Sequence, residues 1–152
     1  MNDMITLRRY FLWANQMRIS FYSALDDFLL QGGEFTNMNE EETTKFFSGD
    51  LGMFMSYWYA GLFVVVEGWS ELNLHDPEID IFLDSPNVDF LRRYRNGVFH
   101  FQREYFDNRF FDFFQESERG SWIHILTESL GRFFSQNPLL KSSNNDTLSP
   151  KK

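Results

Sequence analysis

The chain has 152 residues, a net charge of −8 and no cysteine, with 43% hydrophobic and 24% charged residues. This length is that of one soluble domain able to bury a core, and the lack of cysteine excludes disulfides and thiolate zinc sites and fits a cytoplasmic protein. The acidity argues against broad, non-specific nucleic-acid binding, so any such role has to be local.

The first predicted helix covers residues 4–30, where apolar side chains recur at intervals of three and four. Arg18 interrupts this apolar seam, so it either extends its charged end to solvent or meets an acid of a neighbouring helix. Gln31, Gly32 and Gly33 end the helix. Residues 34–47 predict a connection with at most one helical turn.

The second predicted helix is capped by Ser48 or Asp50 and runs to about residue 74. Its middle is apolar on all sides, so both faces should be covered, and its longest apolar stretch is shorter than the roughly 20 residues that span a bilayer. With no signal-peptide pattern at the start, we expect no membrane association. Gly61 indicates close backbone packing, because glycine costs about 1 kcal/mol relative to alanine inside a helix.

Residues 73–88 predict a loop, marked by two X-Pro pairs. Pro86, capped by Ser85, suits the first position of a third helix, whose apolar stripe is Phe90, Leu91, Tyr94, Val98 and Phe101. The ring-rich residues 105–114 either continue this helix or form a short one. A final helix begins at Gly120 and Ser121, closes at Asn137-Pro138, and carries Trp122, Ile125, Ser129 and Phe133 on one stripe, with Leu126 and Leu130 beside it.

These patterns predict an all-α fold in one domain. No strand-like alternation recurs, and the apolar periodicity indicates an up-down bundle of four to five helices over residues 1–136. The polar residues 137–152 are predicted to be a disordered tail.

Positive charge is concentrated in the third helix. Residues 46–91 contain eight acids and no Lys or Arg, whereas residues 92–109 contain five Arg and two acids. An Arg cluster beside a histidine is suited to binding a phosphate.

On a helical wheel, the polar residues of this segment share the face opposite the apolar stripe: Arg92, Arg93, Asn96, His100 and Arg103. Arg95 and His100 are about 140° apart on the wheel. Their convergence therefore requires the reach of Arg95, a distortion near Gly97, or a second copy of the helix. A plain solvated polar face is the simpler interpretation.

The pattern Arg95-Asn96-x-x-x-His100 resembles the signature of the HEPN superfamily (higher eukaryotes and prokaryotes nucleotide-binding domains). Members of this superfamily are small helical bundles that carry an Arg, usually followed by a polar residue, and a His a few positions later. Here the motif lies on the penultimate major helix of the chain, after an apolar helix that ends in an acid. The resemblance covers about residues 4–134, and the acidic composition and the rings of residues 105–114 depart from it.

The resemblance implies a homodimeric, metal-independent endoribonuclease with no cofactor, in which two motif helices face one cleft. His100 would act as general acid or base, Arg95 would stabilise charge on the phosphoryl oxygens, and Asn96 would orient the phosphate or His100. Arg92 and Arg103 would help to hold phosphate. Other members only bind nucleotides or proteins, and some pair with a nucleotidyltransferase antitoxin.

Four further features have simpler interpretations. Glu67 is expected to form a structural ion pair with Arg18 or Arg95. His75 and His124 are expected to be solvated or half-buried, and their spacing from acids does not fit a metal site. The rings of residues 105–114 are most simply core or dimer interface, with stacking of RNA bases as the alternative. Beside the nuclease, two functions therefore stay open: a non-catalytic nucleotide- or protein-binding module, and a purely structural dimer.

Overall fold

The computed structural model describes residues 2–137, and this part of the chain is all-helical, as predicted. Its seven helices are α1 (Asp3–Leu30), α2 (Glu40–Ser48), α3 (Asp50–Glu71), α4 (Pro77–Leu83), α5 (Asn87–Phe99), α6 (Asn108–Phe114) and α7 (Glu118–Gln136). Four of them are the predicted long helices, and α2, α4 and α6 are short additions. The predicted bundle of four to five helices was therefore too simple. The predicted disordered tail lies almost wholly outside the described residues.

Helix α3 is the centre of the fold and packs against α1, α2 and α5. Trp58, Leu62 and Val65 are almost fully buried within it. With 22 residues it is the one described helix long and apolar enough to cross a bilayer, and 56% of its most apolar stretch is buried by the rest of the protein. That burial fits the predicted buried central helix of a bundle.

Glycine permits the close approach of α1 to α3. A Cβ on Gly61 would lie 3.2 Å from the Cβ of Ala14, and a Cβ on Gly68 would lie 2.5 Å from a methyl carbon of Leu7. The predicted close packing at Gly61 is confirmed. At the end of α1, Gly32 takes a left-handed backbone with φ of +83°, which other residues adopt only with strain.

The two short helices that the sequence analysis missed have clear start signals. Helix α2 begins with a capping box, in which Asn39 and Glu42 each accept the backbone N–H of the other. Helix α4 begins where the side chain of Asp76 accepts two backbone N–H groups, with Pro77 at the first helical position. Both segments were wrongly expected to be connections.

Several predicted helix ends were also wrong. Gly49 precedes α3, and neither Ser48 nor Asp50 caps it with its side chain. Helix α7 begins before Gly120, and Ile125 is 42% exposed because the buried face of α7 centres on Leu126 and Leu130. At α5 the hydroxyl of Ser85 accepts the backbone N–H of Asn87, as expected of a cap, but Pro86 lies one residue before the helix and not at its first position.

Candidate functional site

Arg95 is held by two neighbours at the junction of α3 and α5. Its Nη2 atom donates to both carboxylate oxygens of Glu67, each 2.7 Å away, and its Nη1 donates to Oδ1 of Asn96 at 3.0 Å. Of the two partners expected for Glu67, the structure therefore has Arg95. Arg18 donates to Asn15 on its own helix, and no ion pair of Arg18 is found within residues 2–137.

An aromatic ring supports the guanidinium of Arg95. Its Cζ atom lies 5.3 Å from the ring centre of Phe63, a cation–π distance. The Nε atom is buried and has no hydrogen-bond partner in the protein. Arg95 is thus fixed on one side by Glu67 and Asn96 and on the other by Phe63.

His100 lies just past the end of α5, not on the helix as predicted. Its backbone is extended, with φ of −120° and ψ of 126°, and its N–H donates to the carbonyl of Asn96. The side chain of Gln102 donates to the carbonyl of His100 at 2.6 Å and satisfies one of the acceptors at the helix end. The imidazole is exposed and makes no side-chain hydrogen bond or ion pair within residues 2–137.

Arg95 and His100 do not converge within one chain. Arg95 contacts Glu67 near the end of α3, whereas Phe99, just before His100, meets the ring of Tyr57 ten residues earlier in that helix. Ten residues of α-helix span about 15 Å. The two motif side chains therefore lie beside different parts of α3, and the predicted convergence is absent from the single protomer.

Three other arginines of this segment differ in whether they form an ion pair. Arg92 pairs with Asp89 on its own helix, and Arg93 pairs with Asp112 of α6 at 2.8 Å. Arg103 lies on the non-helical segment after α5, not on the shared helical face predicted for it. It is exposed and has no partner in the described part of the chain.

A pocket beside His100 could not be inferred from the sequence. It has a volume of about 400 Å³ and lies between the first half of α3, the end of α5, and the segment that leads into α6. Its lining includes Tyr57, His100, Phe101, Glu104 and Tyr105. The sequence showed the rings of residues 105–114, but their contact with α2 and α3 depends on the tertiary fold.

Gly97 and a buried tyrosine hold the wall of this pocket. A Cβ on Gly97 would lie 3.1 Å from the ring of Phe110, so glycine lets α6 pack directly on α5. Tyr94 is fully buried, and burial raises the pKa of its hydroxyl above the ordinary value of 10. The hydroxyl therefore stays protonated and shares a 2.8 Å hydrogen bond with Ser56.

The other two histidines lie outside this region. His75 is exposed, with Nδ1 3.4 Å from a carboxylate oxygen of Asp80. His124 is half-buried between Tyr22 and Glu128. Both placements match the sequence analysis. Residues 2–137 contain no group of three or more His, Cys, Asp or Glu that could hold a metal ion.

The rings of residues 105–114 are divided between core and surface. Phe113 is almost fully buried, whereas Phe114 is 39% exposed and Tyr105 is 49% exposed. They belong to α6 and the segment before it, so the predicted short separate helix is the correct alternative. Core burial thus accounts for only part of this block.

Comparison with known proteins gives no assignment. No protein-family model, no curated protein and no solved structure matches this chain.

Proposed function

We propose that the protein is a HEPN-like, metal-independent endoribonuclease that works as a homodimer. The observation that carries this proposal is the exposed, unpartnered imidazole of His100, five residues after an arginine that Glu67 and Asn96 hold in place. Imidazole is the side chain that exchanges protons most readily near neutral pH. A fixed guanidinium is suited to stabilising charge on phosphoryl oxygens.

The reaction needs one proton acceptor and one proton donor. The 2′-hydroxyl of the RNA loses its proton and its oxygen bonds to the adjacent phosphorus, while the bond from phosphorus to the 5′ oxygen breaks. That oxygen gains a proton, which leaves a 2′,3′-cyclic phosphate and a 5′-hydroxyl. His100 of one protomer takes the proton of the 2′-hydroxyl as base and gives a proton to the 5′ oxygen as acid, and Arg95 of the partner stabilises the charge on the non-bridging oxygens.

Pairing with α5 of a second protomer would bring Arg95 close to a His100, although the two side chains lie apart within one chain. A twofold axis that crosses α5 between these residues brings Arg95 of one protomer beside the partner's His100. Phe99 and Phe101 at this end of α5 are 49% and 92% exposed. Such exposed rings supply apolar surface for the pairing.

The charge balance at Arg95 favours a second candidate, a non-catalytic module that binds a nucleotide or a protein. Both oxygens of Glu67 contact Arg95, so its charge is already neutralised before any phosphate arrives. A phosphate at this site has to share the guanidinium with a carboxylate. This arrangement suits a structural ion pair as well as it suits catalysis.

The test is RNA cleavage by the purified protein in EDTA. We expect His100→Ala to lower the rate by at least about 100-fold, the usual loss for removal of a general acid–base group. His75→Ala, which removes an exposed histidine elsewhere, is the matched control, and the products should carry 2′,3′-cyclic phosphate. Absence of His100-dependent cleavage by folded protein would contradict the nuclease. Thermal stabilisation by nucleotides without cleavage would then support the binding module.

A further inference from the structure

We propose that the pocket beside His100 receives one unpaired base of a single-stranded RNA. This inference rests on the proposed function and specifies its substrate. The pocket volume of about 400 Å³ is within the range of roughly 300–1,000 Å³ that is common for small-molecule sites. Because His100 lies on the pocket lining, a base held there places its own phosphate next to the imidazole.

Two tyrosine rings in the pocket lining are held in place by contacts with other parts of the fold. Tyr105 is anchored to α2, where its hydroxyl donates to the carbonyl of Thr44 at 3.1 Å and shares a 3.0 Å hydrogen bond with Ser48. Tyr57 rises from α3, and its ring is supported by an edge-on contact with Phe99. Both tyrosines are half exposed, which leaves about half of each side chain accessible to a ligand. Stacking on fixed rings suits any base, because every base has a flat π face.

The polar groups of the lining distinguish a base from an apolar side chain. Three residues of the lining that carry polar side chains are exposed: Tyr57, Glu104 and His100. Their side-chain polar groups make no hydrogen bond or ion pair within residues 2–137. An apolar occupant would leave these groups without partners, at a cost in free energy. A nucleobase is flat and has polar edges, so it can stack on the rings and form hydrogen bonds with the polar groups.

Glu104 also indicates which bases fit. A carboxylate accepts hydrogen bonds, and the exocyclic amino group of adenine, cytosine or guanine offers two N–H donors, whereas uracil offers only its single ring N–H. Adenine-rich RNA should therefore bind more tightly than uracil-rich RNA. Double-stranded RNA should bind weakly, because its bases are already stacked and paired.

The acids of the ring-rich segment do not oppose an RNA backbone as strongly as their number suggests. Asp112 is paired with Arg93, and Asp107 accepts the backbone N–H of Arg109 at the start of α6. Arg103, between His100 and Glu104, has no such partner within residues 2–137. An exposed cation thus lies between Gln102 and Glu104, two residues of the pocket lining.

The test measures binding of the whole protein to fluorescent 2′-O-methyl RNA, which has no free 2′-hydroxyl and is not cleaved. We expect Tyr57→Ala to weaken binding of an adenine-rich single strand by about 5- to 150-fold. Tyr57→Phe should keep most of the affinity, and Glu104→Ala should remove the preference for adenine over uracil. Tyr10→Ala, which removes an exposed tyrosine of α1, is the matched control.

Equal affinity of the parent and Tyr57→Ala, or equal affinity for single and double strands, would overturn the inference. So would a Tyr57→Ala protein that dimerises less in light scattering but binds RNA unchanged, since the pocket would then belong to an interface between copies. RNA binding and RNA cleavage, measured separately, distinguish the pocket proposal from the nuclease proposal. Tyr57-dependent binding without cleavage of ordinary RNA upholds the pocket and contradicts the nuclease, whereas cleavage with Tyr57-independent binding does the reverse.

Discussion

Replacing Glu67 by glutamine tests whether this carboxylate holds Arg95 in place. The side chains of Arg95 and Glu67 are 24% and 41% exposed, so the pair is neither buried nor fully solvated. Exposed ion pairs contribute about 0.2–1 kcal/mol, and breaking a buried pair costs about 3–5 kcal/mol. The loss of stability for Glu67→Gln should lie between these limits, at about 1–2 kcal/mol.

A double-mutant cycle isolates the contribution of the pair. Unfolding in urea is measured for the parent, Glu67→Gln, Arg95→Ala and the double variant, and we expect a coupling energy of about 1 kcal/mol. Glu71→Gln, one turn further along α3 and exposed, is the control and should change stability by less than about 0.5 kcal/mol. A coupling energy below about 0.3 kcal/mol would show that Glu67 does not hold Arg95, and the geometry drawn for the site would be wrong.

Three further predictions concern packing, ionisation and phosphate binding. Gly97→Ala should destabilise the protein by about 1–3 kcal/mol in urea unfolding, because the new Cβ meets the ring of Phe110. Gly120→Ala is the control, because its Cβ meets no atom within 4 Å, and it should stabilise the protein by up to about 1 kcal/mol. A Gly97→Ala protein that is more stable than Gly120→Ala would contradict the packing of α6 on α5. Because burial raises the pKa of Tyr94 above 10, the folded state keeps a proton that the unfolded chain releases, so stability should fall as pH rises above 10, by up to about 1.4 kcal/mol per pH unit from this group. A Tyr94→Phe protein with the same alkaline slope as the parent would refute that cause. Arg103→Ala should reduce the slope of log Kd against log salt for single-stranded RNA by about 0.7, and an unchanged slope would show that Arg103 contacts no phosphate.

The long helices could be predicted because their apolar faces repeat at helical intervals. The short helices α2 and α4 have little apolar periodicity, but their start signals are present in the sequence, as Asn39 with Glu42 and as Asp76 with Pro77. A polar or short segment can thus be helical when its first backbone N–H groups are capped.

The end of α5 could not be predicted from the sequence. No Gly or Pro stands directly after Phe99, so the sequence predicts that the apolar stripe continues to Phe101. In the structure the helix ends before His100, whose backbone is extended. The side chain of Gln102 donates a hydrogen bond to the carbonyl of His100. His100 and Arg103 therefore lie past the end of α5 and off the predicted face.

The partner of Glu67 was likewise undetermined at the level of sequence. The apolar pattern places Glu67, Arg18 and Arg95 on their helices but does not fix how the helices rotate against each other. The approach of α5 to α3 settles the choice in favour of Arg95. The pocket beside His100 has the same origin, because it needs three separate segments to meet.

The most direct test of the nuclease proposal is to mix two inactive variants. If the site forms between protomers, Arg95→Ala and His100→Ala proteins that are each inactive should regain RNA cleavage when their subunits exchange. Random exchange makes about half of the dimers mixed, and each mixed dimer has one intact site of two, so recovery should reach at most about a quarter of the parent's activity. Mixed dimers confirmed by mass spectrometry that cleave no more RNA than either variant alone would contradict a site shared between Arg95 and the partner's His100.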